Sequence, residues 1–225
     1  MIEIYRGNSK EIEIQKGEVY RYLGYGKREP DEKVQAAVEK CILQIGSALN
    51  AKACRDKFEI RENDGENIDL GFTAVKSRSL ARNLKNCSEI ILFTATIGIE
   101  TDRIINRYSP VSPSAAVIAQ AVGTAYIEAW CDLLCSRFEK EEREKGNSLR
   151  PRFSPGYGDA PLEMQKSIFS VLDCSRKIGV SLSNSLLMLP SKSVSAIIGI
   201  SKEQTDCAIN GCEACAKADC PYRRS

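Results

Sequence analysis

Glu89-Ile90-Ile91-Leu92-Phe93-Thr94-Ala95-Thr96 is the stretch on which the fold turns. It is strand-length, rich in β-branched and aromatic residues, and has no polar alternation. Such a run predicts a strand covered on both faces, central in a sheet. Downstream a helix is expected through Arg107, until Pro110 and Pro113 interrupt it. Ser114 to about Lys145 then predicts one long helix. Its small residues, Ala115, Ala116, Ala119, Ala121, Gly123 and Ala125, offer a face that another backbone or a ligand can approach closely. Upstream, residues 52–62 and 67–75 read as strands split by a turn at Asn63-Asp64-Gly65. Ser77 or Ser79 caps a short helix to about Leu84.

Toward the N-terminus, Pro30 and Asp31 open a helix whose apolar stripe runs Val34, Val38, Cys41, Ile42, Ile45, Leu49. Residues 2–5 and 11–14 alternate apolar with polar and predict two short strands around Gly7-Asn8. Beyond the long helix, residues 162–177 predict an amphipathic helix, with Ile168, Phe169, Val171 and Leu172 inward. Leu182 to Met188 and Ser193 to Ile200 predict strands around a turn at Pro190. Helices and strands are mixed rather than strictly alternating, so the class is α+β: a mixed or antiparallel twisted sheet with flanking helices. Residues 1–203 are expected to form one domain and 204–225 a cysteine-rich tail.

Composition narrows the function. The 225 residues carry 32 basic and 30 acidic side chains, a net charge of +2, so no face is obliged to bind a polyanion and nucleic acid is not expected as a partner. Neither a signal-peptide core nor a membrane-length apolar run is present, and the expected location is cytoplasmic. In that compartment ten cysteines do not form a disulfide framework. Cys41, Cys131, Cys135 and Cys174 fall on apolar helical faces and are expected in the core. Histidine is absent altogether, which removes Ser-His and Cys-His nucleophiles, a histidine base and histidine-bound zinc. No catalytic side chain is assigned, and no independent turnover is expected.

The sharpest local signal is Arg152-Phe153-Ser154-Pro155-Gly156-Tyr157. Proline stiffens the backbone, glycine admits a ligand closely, and arginine grips a carboxylate bidentately. This loop resembles the Arg-x-x-Pro-Gly-Tyr segment of the activation domain of cobalamin-dependent methionine synthase. Two other stretches are similar to the same domain: the helix AVGTAYIEAWCDLL upstream, and IGVSLSNSLLMLPSKSVSAIIG downstream with its Met-x-Pro-x-x-Ser-Val-Ser pattern. The resemblance covers roughly residues 115–200. It implies that Arg152 binds the carboxylate of S-adenosylmethionine, that the Ser154 backbone contacts the ligand, and that Gly156 and Tyr157 complete the loop. Glu128 falls at the position of the family's ligand-contacting glutamate. The family's paired tyrosines after Ser-Val-Ser have no counterpart in Ala196-Ile197-Ile198-Gly199-Ile200.

The implied activity is reactivation: reductive methylation of cob(II)alamin, with the cobalamin held by a partner methyltransferase subunit in methionine biosynthesis. The electron would come from a flavodoxin- or ferredoxin-type donor. Reactivation of another corrinoid protein, or a ligand- or metal-binding module without methyl transfer, are the other readings. The tail adds Cys207, Cys212, Cys215 and Cys220, a C-x4-C-x2-C-x4-C spacing that suits one metal centre, either zinc or an iron–sulfur cluster.

Overall fold

The apolar run lies in a ten-residue strand, Cys87–Thr96, at the middle of an antiparallel five-stranded sheet. The computed structural model describes residues 1–26 and 28–202. In chain order the first elements are β1 (Glu3–Gly7), α1 (Lys16–Tyr22), α2 (Glu32–Ser47), β2 (Ala51–Glu59), β3 (Glu62–Asn63), β4 (Asn67–Asp69) and β5 (Ala74–Lys76). Then come α3 (Arg78–Asn83), β6 (Cys87–Thr96), α4 (Glu100–Tyr108), α5 (Pro113–Arg143) and β7 (Ser148–Leu149). The chain continues through α6 (Met164–Val171), α7 (Cys174–Ile178), β8 (Ser181–Leu182), β9 (Met188–Leu189) and β10 (Ser193–Ser201). The main sheet has the order β1-β2-β6-β10-β7, so the α+β expectation holds and β6 is central.

Both sheet faces are covered, which is why β6 carries no polar alternation. Ile91, Phe93 and Ala95 point into a core made with α1, α2, α4 and α5, where Trp130 and Phe138 are fully buried. Ile90 and Leu92 point the other way, against Leu80 and Leu84 of the α3 region, Ile168 of α6 and Cys174 of α7. The small residues of α5 do what their size allows. Gly123 lies so close to its neighbours that a Cβ there would fall 2.8 Å from Thr101 and 3.1 Å from the Lys192 stem. Cys41, Cys131 and Cys174 are buried as expected, with Cys135 half-buried. Asp31 caps α2 through the Val34 amide at 2.8 Å, and Ser77 caps α3 through Leu80.

Three expectations are corrected, and one helix is added. Residues 11–14 form no strand: Asn8 and Glu11 bond to each other, the amides of Glu11 and Ile12 donate to the Asn8 carbonyl, and the resulting turn drops Ile12 into the core. The added helix is α1, Lys16–Tyr22, whose Val19 is fully buried. The helix expected over 162–177 is broken between α6 and α7, where Asp173 adopts a left-handed conformation at φ 48°. Leu182–Met188 is not one strand: its ends pair in a short hairpin, β8 with β9, and residues 183–187 are the turn, in which the Leu187 amide donates to the Ser183 hydroxyl and the Ser183 amide donates to the Leu187 carbonyl. None of the helices among the described residues is long and apolar enough to cross a membrane. The tail cysteines Cys207, Cys212, Cys215 and Cys220 lie outside the described residues.

Candidate functional site

The Ser154–Tyr157 loop is a tight turn whose chemistry follows from its sequence. The Tyr157 amide donates to the Ser154 carbonyl at 3.1 Å, with Pro155 and Gly156 at the two central positions. Gly156 sits at φ 82°, the left-handed value that a type II turn demands and that a side chain resists. Its Cβ would also meet Leu162 at 3.2 Å. The loop is stitched to the body from both sides. Phe153 exchanges two backbone bonds of 2.8 Å with Ile197 of β10. Asp159 accepts from the Ser77 hydroxyl at 2.6 Å and from the amides of Arg78 and Ser79. Those donors hold the Asp159 carboxyl well below the usual carboxylate range. Tyr157, stacked edge-on to Phe153 at 5.9 Å, is left exposed.

This framework delivers Arg152 to α5. Its Nη2 donates to Glu128 at 2.6 Å and lies 3.1 Å from Asp132. Glu128 and Asp132 are four residues apart, so both carboxylates lie on one helical face. The other terminal nitrogen, Nη1, is buried and has no hydrogen-bond partner among the described residues. Burial works against the guanidinium's charge, yet the neighbouring acidic groups of Cys131, Glu128 and Asp132 outweigh it and push its pKa further up. Burial also pushes the Cys131 and Cys135 thiols up, Cys135 to about 11, so neither is a thiolate nucleophile. Tyr22 of α1 feels the same carboxylate: burial and then the Glu128 charge raise its pKa.

The structure therefore brings Glu128 and Arg152 together and places Ser154, Gly156 and Tyr157 in the turn directly after Arg152. Sequence reading missed Asp132, Tyr22 and Asp159. Asp132 had a signal, its i+4 spacing from Glu128. Tyr22 and Asp159 had none, because each acts across the fold. Among the described residues no group of three or more histidine, cysteine, aspartate or glutamate side chains could hold a metal ion.

The sequence pattern described as "Vitamin B12 dependent methionine synthase, activation domain" matches residues 80–219, well over half of the chain. The chain belongs to that family. The span of the match contains α5, the 152–157 loop and β10. The fold is similar to that of a solved protein titled "Crystal Structure of the MetH Reactivation Domain bound to AdoHcy", with a TM-score of 0.67. That likeness is at 16% identity and covers 91% of this chain and 80% of the other. No curated relative matches by sequence. In this chain the arginine of the 152–157 loop and Glu128 of α5 are in direct contact.

Proposed function

We propose that this activation-domain protein binds S-adenosylmethionine and serves the reductive methylation of a cobalamin carried by a partner methyltransferase of the methionine synthase type. The observation that carries the reading is the Arg152–Glu128 pair beside a rigid turn, with Arg152 Nη1 buried and unspent. Arginine beside glutamate is complementary to an α-amino acid, which brings a carboxylate and an ammonium together. The ligand carboxylate would take Nη1, a charge-assisted bond for a donor that is otherwise desolvated without compensation. The ligand ammonium would share Glu128, and the Ser154–Gly156 backbone would border the sulfonium side. That the similar solved domain holds AdoHcy supports the same ligand class.

In this reading the chain performs no acid–base step, in keeping with its lack of histidine. Cobalamin on the partner would supply the methyl acceptor. Arg152 and Glu128 hold the amino-acid end, the turn fixes the sulfonium, and exposed Tyr157 stands at the mouth where the partner would dock, so the contribution is positioning. The electron would come from a flavodoxin- or ferredoxin-type donor, and Cys207, Cys212, Cys215 and Cys220 would hold one zinc or iron–sulfur centre. Titration calorimetry tests the first step: S-adenosylmethionine should bind wild type and bind Arg152→Ala far more weakly. Equal affinity for the two removes Arg152 from the site. Adding the protein, ligand and a reductant to a partner holding cob(II)alamin should then produce the methylcobalamin spectrum.

A further inference from the structure

Beyond the amino-acid end of the site, a second cation borders the same helical face. Lys192 precedes β10, and its backbone is held: its carbonyl accepts from the Ile97 amide at 3.2 Å, while neighbouring Ser191 gives its amide and hydroxyl to Asp102 of α4. The lysine stem lies across Gly123, where a Cβ would come within 3.3 Å of its Cγ. The amine reaches Thr124 and donates to its hydroxyl at 3.1 Å, and that hydroxyl in turn donates to the Gln120 carbonyl. Lys192 forms no ion pair among the described residues, and the nearby Asp102 carboxylate is occupied by Ser191. An ammonium has three donors, and among the described residues this one uses a single donor. Burial lowers its pKa against the opposing pull of Asp102, the mark of a cation without a full set of partners.

Thr124, Glu128 and Asp132 occupy positions i, i+4 and i+8 of α5. They lie along one face with about 6 Å between successive residues. Lys192 thus stands at Thr124, one turn from Glu128, while Arg152 spans Glu128 and Asp132. A nucleosidyl amino acid is an elongated ligand with a zwitterion at one end and uncharged acceptors, ribose oxygens and ring nitrogens, at the other. With the zwitterion at Arg152 and Glu128, the next donor along the face is Lys192. Glu128 stands between the two cations along the face, so Lys192 and Arg152 do not adjoin one another.

We infer that Lys192 is a second ligand-recognition residue, donating to the nucleoside end of the ligand whose amino-acid end Arg152 holds. This rests on the reading of the site given above. The test uses Lys192→Met, which keeps the stem over Gly123 and removes the charge, beside Arg152→Ala. Three probes are titrated: S-adenosylmethionine, 5′-methylthioadenosine, which lacks the amino acid, and L-methionine, which lacks the nucleoside. Lys192→Met should weaken S-adenosylmethionine and methylthioadenosine about 5- to 20-fold, the effect of one lost charge-assisted bond, and leave L-methionine unchanged. Arg152→Ala should do the reverse, sparing methylthioadenosine. Unchanged methylthioadenosine binding in Lys192→Met overturns the inference, as does failure of that probe to bind wild type at all. If S-adenosylmethionine binding depends on Arg152 but not on Lys192, the ligand reading stands and this inference falls. A Lys192→Met protein that binds all three probes normally but fails to serve the partner also overturns it, and makes Lys192 a partner contact. If wild type binds no S-adenosylmethionine, both fall together.

Discussion

Two of the acidic clusters on helix α5 are built to opposite ends. Near its C-terminus Glu142 is fully buried and accepts from Lys57 at 2.5 Å, Lys145 at 2.8 Å and Asn147 at 2.9 Å. Both carboxylate oxygens are engaged, and the donors come from the chain itself. Four turns upstream, Glu128 meets Arg152, but Arg152 Nη1 is buried without a partner among the described residues and the cluster opens to solvent through Asp132, whose side chain is 55% exposed. The first cluster is closed and has nothing to offer a ligand. The second spends part of its hydrogen-bonding capacity on itself and leaves the rest. A satisfied buried charge cluster holds a fold together, whereas a partly satisfied one has a reason to bind something.

Stability measurements should separate the two most sharply at Glu142. Glu142→Ala removes the shared acceptor of Lys57, Lys145 and Asn147, and because both lysines are partly exposed it should cost about 1–3 kcal/mol by urea denaturation. Burial raises the Glu142 pKa, but its three donors outweigh that and bring it down to about 2, against the usual 4.5. A lowered carboxylate pKa contributes stability that is fully present above pH 4.5 and lost as pH falls toward 2. The gap between wild type and Glu142→Gln should therefore be widest near neutrality and close over that window. A gap that stays constant down to pH 2 would mean the cluster is not held by charge.

Arg152→Ala should show the inverse profile: about 1.5–3 kcal/mol lost from S-adenosylmethionine binding, with a melting temperature close to wild type. A fall in stability as large as that of Glu142→Ala would make both clusters structural and erase the contrast. Gly156→Ala tests the turn that presents the open cluster. A φ of 82° is strained for alanine, so a loss of about 1–2 kcal/mol in stability is expected, with weaker ligand binding beside it. Asp132→Asn marks the small end of the scale. Its pair with Arg152 is exposed, so thermal denaturation should move by less than about 0.5 kcal/mol.

Much of this architecture is legible in the residues. The four-residue run of Ile90 to Phe93 can only be buried, and burial on both faces puts its strand in the middle. Asp31 and Ser77 announce their helices because a cap is a local bond between a side chain and an amide three residues on. The turn after Arg152 is equally local, since proline and then glycine select its backbone. Residues 11–14 misled for the same reason in reverse. Four alternating residues fit a strand or a turn alike, and the Asn8–Glu11 bond chose the turn.

The sequence by itself determined the central strand, the long helix, the caps of α2 and α3 and the tight turn after Arg152, because each depends on contacts within a few residues. Only the tertiary structure decided which charges meet. Glu128 and Arg152 are 24 residues apart, Thr124 and Lys192 are 68 apart, and Lys57 and Glu142 are 85 apart. No periodicity encodes those meetings. They depend on the register of β10 against β6 and on the packing of α5 across that sheet, and both are set by the summed burial of many side chains. The same packing decides that both Glu142 oxygens are engaged while Arg152 Nη1 has no partner among the described residues: a lysine's reach and a glycine's missing Cβ acquire meaning only once the helix has been laid down beside them.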